Sequence, residues 1–175
     1  MKPGRLYHYS ITTLKLQPLL LETYIFDKII HNLQLLVNAK LIKVYGYVVL
    51  PNRIEFLWEM LNDTEEESPH IQFLKLSSFD FLELLRQKNK KLLDLFCIDM
   101  LFQKIQFWQK SHGPVQINDP KEAAKVLERI HKLAGHSTTC NKGFSSQSFY
   151  NKGVDKYRFL QHYQKHFEEL TVSSN

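Results

Sequence analysis

The chain has 175 residues and a formal net charge of +5. Hydrophobic residues make up 43% and charged residues 23% of it, which predicts a packed globular domain and excludes a disordered or collagen-like chain. Two cysteines are too few for a disulfide scaffold or a cysteine-built zinc site. No apolar run approaches the roughly 20 residues that a membrane span needs. We therefore expect a protein of a reducing, cytoplasmic compartment with no membrane partner.

The charge is unevenly distributed along the chain. Residues 61–69 include no lysine or arginine but four acidic residues: Asp63, Glu65, Glu66 and Glu67. The remainder has 14 acidic residues against 23 basic ones, a net charge of +9. A basic body with one acidic loop indicates an anionic partner.

The first half of the chain predicts three elements of a sheet and one helix. Alternation and β-branched residues predict a strand over 6–13, and helical spacing of apolar residues predicts a helix over 21–39. A dense run of Val, Ile and Tyr predicts a second strand over 41–50. The turn at Pro51 and Asn52 leads into a third strand over 54–60.

The second half predicts more helix. Ser68 and Pro69 open a helix that runs to about residue 87, and the basic stretch 86–91 ends it. Residues 92–102 fit either a helix or a strand, whereas the alternation over 103–109 predicts a fourth strand. A helix over 120–133 is capped by Asn118 or Asp119 and stopped by Gly135. A polar, Ser-rich loop over 141–153 then precedes a last helix over 155–170.

This order of elements predicts an α+β fold of the ferredoxin-like, split βαβ type. We expect an antiparallel sheet of four to five strands with helices on one face, followed by a C-terminal helical extension. Residues 1–150 are predicted to form the domain, and residues 151–175 a helical tail belonging to it. The uncovered face of the sheet is then available to a ligand or partner.

General catalytic motifs are absent from the sequence, which has neither a Gly-rich phosphate loop nor a nucleophile elbow. Two pairs of histidines lie close together in the chain: His131 and His136 are five residues apart, and His162 and His166 are four apart, which is one helical turn. Such a pair needs a third ligand to bind zinc. The tail pair lies among aromatic and basic residues, which favours a solvated amphipathic helix over a zinc site. The same mixture can also stack on bases and meet phosphates.

Four segments of the chain resemble one family, the single-tyrosine HUH transposases, and within it the REP-associated tyrosine transposase branch. The segment from Tyr45 to Trp58 contains Val-Val-Leu-Pro-Asn-Arg-Ile-Glu and resembles the signature strand pair of that family. The segments 107–115, 127–134 and 145–150 resemble three further motifs of the branch in the same order. The likeness spans about residues 5 to 150 and implies the same ferredoxin-like fold.

In that family two histidines alternate on a strand and hold Mg²⁺ or Mn²⁺, while a tyrosine on a helix attacks the scissile phosphate. A polar side chain one helical turn after the tyrosine completes the metal site. Here Arg53 and Glu55 stand at the histidine positions, Arg129 at the tyrosine position and Leu133 at the polar position. A guanidinium neither ligates a metal nor attacks phosphorus, and Glu55 alone is a weak oxygen ligand. The resemblance therefore implies a degenerate site without a confirmed catalytic residue, metal ligand or cofactor.

We predict a transposase-like protein that binds single-stranded or hairpin DNA without cleaving it. We expect Arg53 and Glu55 to project from one face of their strand, with Arg129 above them and paired with Glu55. Seven basic residues are the predicted DNA contacts: Arg53, Arg129, Lys132, Arg86, Lys88, Lys90 and Lys91.

Two alternatives stay open at this point. One is an active DNA transposase whose nucleophile is displaced, for example to Tyr150, Tyr157 or Tyr163. The other is a protein-interaction remnant of the family that no longer touches nucleic acid. The sequence fits a monomer as well as a homodimer.

Overall fold

A computed structural model describes residues 4–61, 67–110, 113–136 and 144–172. Within them the strands are β1 (Arg5–Thr12), β2 (Ile42–Leu50), β3 (Arg53–Met60), β4 (Cys97–Asp99), β5 (Lys104–Ile105) and β6 (Val115–Ile117). The helices are α1 (Thr23–Asn38), α2 (Pro69–Lys88), α3 (Lys90–Asp94), α4 (Pro120–His136), α5 (Gln147–Lys152) and α6 (Gln164–Val172). Most of the predicted acidic loop, residues 62–66, lies outside the described residues.

The main sheet has four antiparallel strands in the order β2-β3-β1-β6. β1 and β3 pair along their whole length, with Ser10 opposite Glu55 and Thr12 opposite Arg53. The predicted α+β fold with an antiparallel four-stranded sheet is confirmed. No helix among the described residues is long and apolar enough to cross a membrane.

Helices cover both faces of this sheet, which corrects the expectation of helices on one face. Phe56 and Trp58 of β3 pack against Phe73 of α2 on one face. Leu57, between them on the strand, belongs to a second apolar cluster with Leu127 and other residues of α4. β3 is buried from its second residue to its last, and such a strand needs a covering layer on each side.

Gly46 allows α4 to approach β2 closely. A Cβ atom at this position would lie 2.6 Å from Cδ1 of Leu127 and 3.6 Å from Cβ of Leu57. A β-bulge between Val44 and Gly46 shifts the register of β2 against β3 at the same point. The missing side chain and the bulge together set how deeply α4 sits on the sheet.

The fourth strand of the sheet differs from the prediction. The fourth strand is β6, whereas the prediction placed it at residues 103–109. Within that predicted range, Lys104 and Ile105 form β5, which pairs with β4 in a separate two-stranded hairpin. Trp108 packs against α2, and its Nε1 donates a hydrogen bond to the hydroxyl of Ser77 on that helix. Phe107 likewise packs edge-on against Phe81 of α2. The end of the predicted strand still pairs with the sheet, because Trp108 forms a single antiparallel bridge with Thr13, just beyond β1.

The C-terminal region also departs from the prediction. Part of the expected loop 141–153 is helix α5, which ends at Gly153 in the left-handed conformation that favours glycine. The predicted helix over 155–170 begins only at Gln164, because the carboxylate of Asp155 accepts the backbone N–H groups of Tyr157, Arg158 and Leu160. Such bonds favour a turn over a helix.

Candidate functional site

Glu55 lies at the centre of an ionic cluster on the face of the sheet that α4 covers. Its Oε2 atom is 3.1 Å from Nη2 of Arg129 on α4 and 3.2 Å from Nε2 of His8 on β1. Its Oε1 atom is 3.3 Å from Nε of Arg53. The predicted convergence of Arg53, Glu55 and Arg129 is therefore confirmed, including the ion pair between Arg129 and Glu55.

The period of the strand and the position of the helix produce this cluster. Arg53 and Glu55 are two residues apart on β3, so their side chains point to the same face of the sheet. Helix α4 packs on this face through Ile130, which is fully buried and directly follows Arg129. Glu55 is 4% exposed, whereas the side chains of Arg129 and Arg53 are 53% and 36% exposed. The carboxylate thus forms the floor of the cluster and the guanidinium groups form its rim.

His8 is the member of the cluster that the sequence analysis did not identify. It stands diagonally opposite Glu55 on the neighbouring strand, next to the directly paired Ser10. Its Nε2 also lies 2.7 Å from Nη2 of Arg129. One nitrogen can donate to Glu55 or accept from Arg129 but cannot do both, so the tautomer and charge of His8 decide which bond forms.

The surroundings of Glu55 favour its charged form. Burial acts to raise the pKa of this carboxyl, but the hydrogen bond from His8 and the charges of Arg129 and Arg53 outweigh burial and lower the pKa. The carboxylate is therefore ionised at neutral pH. With a neutral His8 the cluster holds two positive charges and one negative charge.

A groove that includes several polar side chains in a mainly apolar lining opens beside His8. It has a volume of about 420 Å³ and runs between β1 on one side and Gln109, Lys110, Gly113 and Val115 on the other. Its polar lining consists of His8, Ser10, Thr12, Gln109 and Lys110. Hydroxyl, amide and ammonium groups of this kind are typical partners of phosphate oxygens. The groove and the ionic cluster share His8, so they form one continuous surface.

The three tyrosines named as displaced nucleophiles make their contacts outside the ionic cluster, and the ring of Tyr163 packs against Tyr150. The hydroxyl of Tyr150 donates to the backbone carbonyl of Tyr45 and accepts the N–H of Tyr163. Burial raises the pKa of Tyr150 above that of a free phenol, which disfavours the phenolate. Tyr157 stacks against Phe159 in the tail.

A second ionic cluster on the same face was not predicted. Oε2 of Glu59 accepts a 2.5 Å hydrogen bond from the hydroxyl of Tyr45 and lies 3.0 Å from Nδ1 of His166 on α6. Lys43 bridges Glu59 and Glu169 at 3.8 and 2.7 Å. His166 is 3% exposed, so the prediction of a solvated tail helix is wrong at this residue. Its contact with the carboxylate of Glu59 gives the buried ring a polar partner in the interior.

The seven predicted DNA contacts fall into two groups. Arg53, Arg129 and Lys132 lie on the face covered by α4, and Lys132 also pairs with Glu128 one helical turn away. The basic run 86–91 spans the last turn of α2 and the start of α3, and α2 packs on the opposite face of the sheet. In that run Arg86 pairs with Glu83, and the ammonium of Lys88 lies 5.4 Å from the ring of Tyr24.

The donor set around Glu55 does not fit a divalent metal. Glu55 and His8 supply lone pairs, but the two adjacent guanidinium groups repel a cation and donate hydrogen bonds only. Leu133, one helical turn beyond Arg129, has no lone pair to offer. Over the part of the chain that the structure describes, no three His, Cys, Asp or Glu side chains are grouped so that they could hold a metal ion.

Comparison with known proteins identifies a fold relationship. No protein-family model matches the sequence, and no curated protein matches it. A solved structure, that of a REP-associated tyrosine transposase bound to a REP hairpin, is similar with a TM-score of 0.57 and 14% sequence identity. The match covers 91% of this chain and 87% of that one. The two proteins share a fold across almost their entire length.

Proposed function

We propose that this protein binds single-stranded or hairpin DNA through phosphate contacts and does not cleave the strand. The observation that carries the proposal is the ion pair between Arg129 and Glu55 at 3.1 Å. It places a half-exposed guanidinium on α4, above a strand of the fold shared with a transposase bound to a DNA hairpin.

The electrostatics of the cluster support binding of an anion. Arg129 contacts Glu55 and His8 through the same nitrogen, Nη2, and half of its side chain is exposed. A guanidinium has five N–H donors, so it can contact a phosphate while it retains the pair with Glu55. The groove beside His8 extends this surface with Ser10, Thr12 and Lys110, and Lys132 adds charge one turn further along α4.

The chemistry of the same residues argues against strand cleavage. A protonated guanidinium has no lone pair with which to attack phosphorus. The hydroxyl of Tyr150 is occupied by two backbone groups. Neither charge stabilisation by a metal nor an activated nucleophile is supplied, so we propose that no metal cofactor is used and that the alternative of an active enzyme does not apply.

Binding to a labelled DNA hairpin across a series of salt concentrations tests the first part of the proposal. We expect affinity to fall linearly with salt on logarithmic axes, because phosphate contacts release counterions. Arg129→Gln should weaken binding about five- to tenfold and reduce the slope by about one phosphate contact. Arg5→Gln, at the far end of the β1–β3 ladder, removes the same charge and should leave affinity nearly unchanged.

Absence of binding at low salt would contradict the proposal and favour the protein-interaction alternative. The second part is tested by incubating the protein with labelled hairpin DNA and Mg²⁺ or Mn²⁺ and then denaturing the mixture. We expect free DNA of the original length. A covalent protein–DNA adduct would instead show that a nucleophile is active.

A further inference from the structure

An exposed apolar turn joins β4 and β5. Met100, Leu101 and Phe102 are 84%, 90% and 83% exposed, and they are consecutive in the chain. Three adjacent apolar side chains in water are unfavourable for a folded protein unless they contact a partner. The turn lies outside the ionic cluster and its groove, and none of the phosphate contacts proposed above uses it.

The turn is held in a defined shape. Oδ1 of Asp99 accepts the backbone N–H groups of Leu101 and Phe102 at 3.0 and 3.1 Å. The thiol of Cys97 donates to the carbonyl of Asp99, and Gln103 adopts a positive φ of 49° that closes the turn. The three apolar side chains are therefore presented on an ordered backbone.

The base of the hairpin is fixed in the core. Phe96 immediately precedes β4, Phe107 follows β5, and their ring centroids are 5.1 Å apart with both side chains buried. The N–H of Gln106 donates to the carbonyl of Phe96, which closes the hairpin at this end. A protruding tip on a rigid base can insert between groups of a partner without an ordering cost.

The charge around the hairpin favours a polyanion as that partner. From Arg86 to Lys104 the chain holds five basic and two acidic residues, a net charge of +3. Arg86, Lys88, Lys90 and Lys91 lead into the hairpin through the five-residue helix α3, and Lys104 lies at the exposed start of β5. A second copy of this chain would carry the same positive charge. Three side chains also bury far less than the ~800 Å² per partner of a stable protein interface.

We propose that Met100, Leu101 and Phe102 form an apolar wedge that inserts between adjacent bases of the bound DNA, while the basic run 86–91 contacts the flanking phosphates. Met, Leu and Phe are side chains that other DNA-binding proteins insert in this way, separating one base step and bending the helix. The proposal rests on the proposed DNA binding and adds a second contact on the opposite side of the sheet from Arg129.

The test uses a set of DNA hairpins in which 2-aminopurine replaces one base at a time, because its fluorescence rises when it is unstacked. On binding of the unchanged protein we expect a severalfold rise at one or two neighbouring positions. The triple variant Met100→Ser, Leu101→Ser, Phe102→Ser should lose this rise and bind about tenfold more weakly, with the same salt slope and urea midpoint. Phe79→Ser removes another exposed apolar side chain, 67% exposed on α2, and should keep the rise.

Fluorescence anisotropy of the same complexes separates the two proposals. Unchanged protein that binds DNA but unstacks no position would overturn the wedge and leave DNA binding intact, whereas protein that does not bind at all would overturn DNA binding. Two further outcomes would also overturn the wedge. One is that the unchanged protein sediments with vesicles of phosphatidylcholine and phosphatidylserine and the triple variant does not. The other is that the unchanged protein is a homodimer and the triple variant is a monomer.

Discussion

At the scale of single residues, the candidate site is a buried carboxylate that is neutralised by its neighbours. Glu55 meets Arg53, Arg129 and His8 within 3.3 Å. Desolvation of a charged carboxylate is unfavourable, and pairing with cations offsets it. The negative charge of Glu55 therefore affects two properties: the stability of the fold, and the positive potential that Arg53 and Arg129 present to an anion.

Replacing Glu55 with Gln should change stability and DNA affinity in opposite directions. The free energy of unfolding should fall by about 1–2 kcal/mol, less than for a fully buried pair because both arginines are partly exposed. DNA should bind more tightly, since the guanidinium charges are no longer neutralised. Urea denaturation and hairpin binding measure the two effects. The control is Glu128→Gln, which removes an exposed carboxylate that pairs with Lys132. Because this ion pair is at the surface, the urea midpoint should stay unchanged.

The surroundings of Glu59 should make the free energy of unfolding depend on pH. Burial acts to raise its pKa, but hydrogen bonds from His166 and Tyr45 and the charges of His166 and Lys43 lower the pKa below the ordinary 4.5 of a glutamate. The ionised form is thus favoured by folding, so this stabilisation is complete above about pH 4.5 and is lost as the pH falls through the lowered value.

We therefore expect the urea midpoint to drop as the pH is lowered from 7 to 3. In Glu59→Gln the midpoint at pH 7 should be lower and the drop smaller, because one of the titrating carboxylates is gone. Glu55 contributes a drop of the same sign, so the curve of the variant is flatter but not flat. An acid limb identical to that of the unchanged protein would contradict the role assigned to Glu59.

At the scale of elements, the contact of α4 with β2 positions Arg129 over the sheet. Leu127 of α4 fills the space left by the absent side chain of Gly46. A change at this contact should be transmitted to the guanidinium two residues further along the helix. Packing at the interior of the fold therefore supports a site that lies partly at its surface.

Gly46→Ala should lower the free energy of unfolding by about 1 kcal/mol, because the new methyl group overlaps the side chain of Leu127. Shortening Leu127 removes the overlap, so we expect the double variant with Leu127→Ala to be more stable than the sum of the two single effects. Urea denaturation of all four proteins measures this coupling. Strict additivity would mean that the two residues do not contact in solution.

At the scale of the whole molecule, positive charge occupies both sides of the sheet. Arg53, Arg129 and Lys132 lie on the side of α4, and the run 86–91 lies at the end of α2 on the other side. One short phosphate backbone does not reach both sides without bending around the molecule. The distribution thus distinguishes a ligand that follows one face from a larger ligand that touches both.

Charge removal on each side should show which ligand is bound. For a hairpin with a single-stranded extension, we expect Arg53→Gln with Arg129→Gln to reduce the salt slope by about 0.7 for each lost contact. Arg86→Gln with Lys88→Gln should reduce it further, and the reductions should add in the combined variant. For a short single strand without a hairpin, the second pair of substitutions should have no effect on the slope.

The sequence by itself determined the local features of this protein. Period-two and helical spacing identify β1, β2, β3, α1, α2 and α4 to within a few residues, because each pattern is formed by neighbours in the chain. The same periodicity, with the family resemblance, brought Arg53, Glu55 and Arg129 together. The cap of α4 at Asp119, which accepts the N–H groups of Lys121 and Glu122, is equally local.

Only the tertiary structure decided which distant residues meet. His8 joins Glu55 because of the β1–β3 register, and His166 is buried because α6 docks beside Glu59. The aromatic pair Phe107 and Trp108 packs on α2 and pairs with the end of β1 through a single bridge only, and α4 covers a face that the order of elements left open. These outcomes depend on burial and pairing between residues that are 26 or more positions apart, and no local pattern in the sequence encodes such a contact.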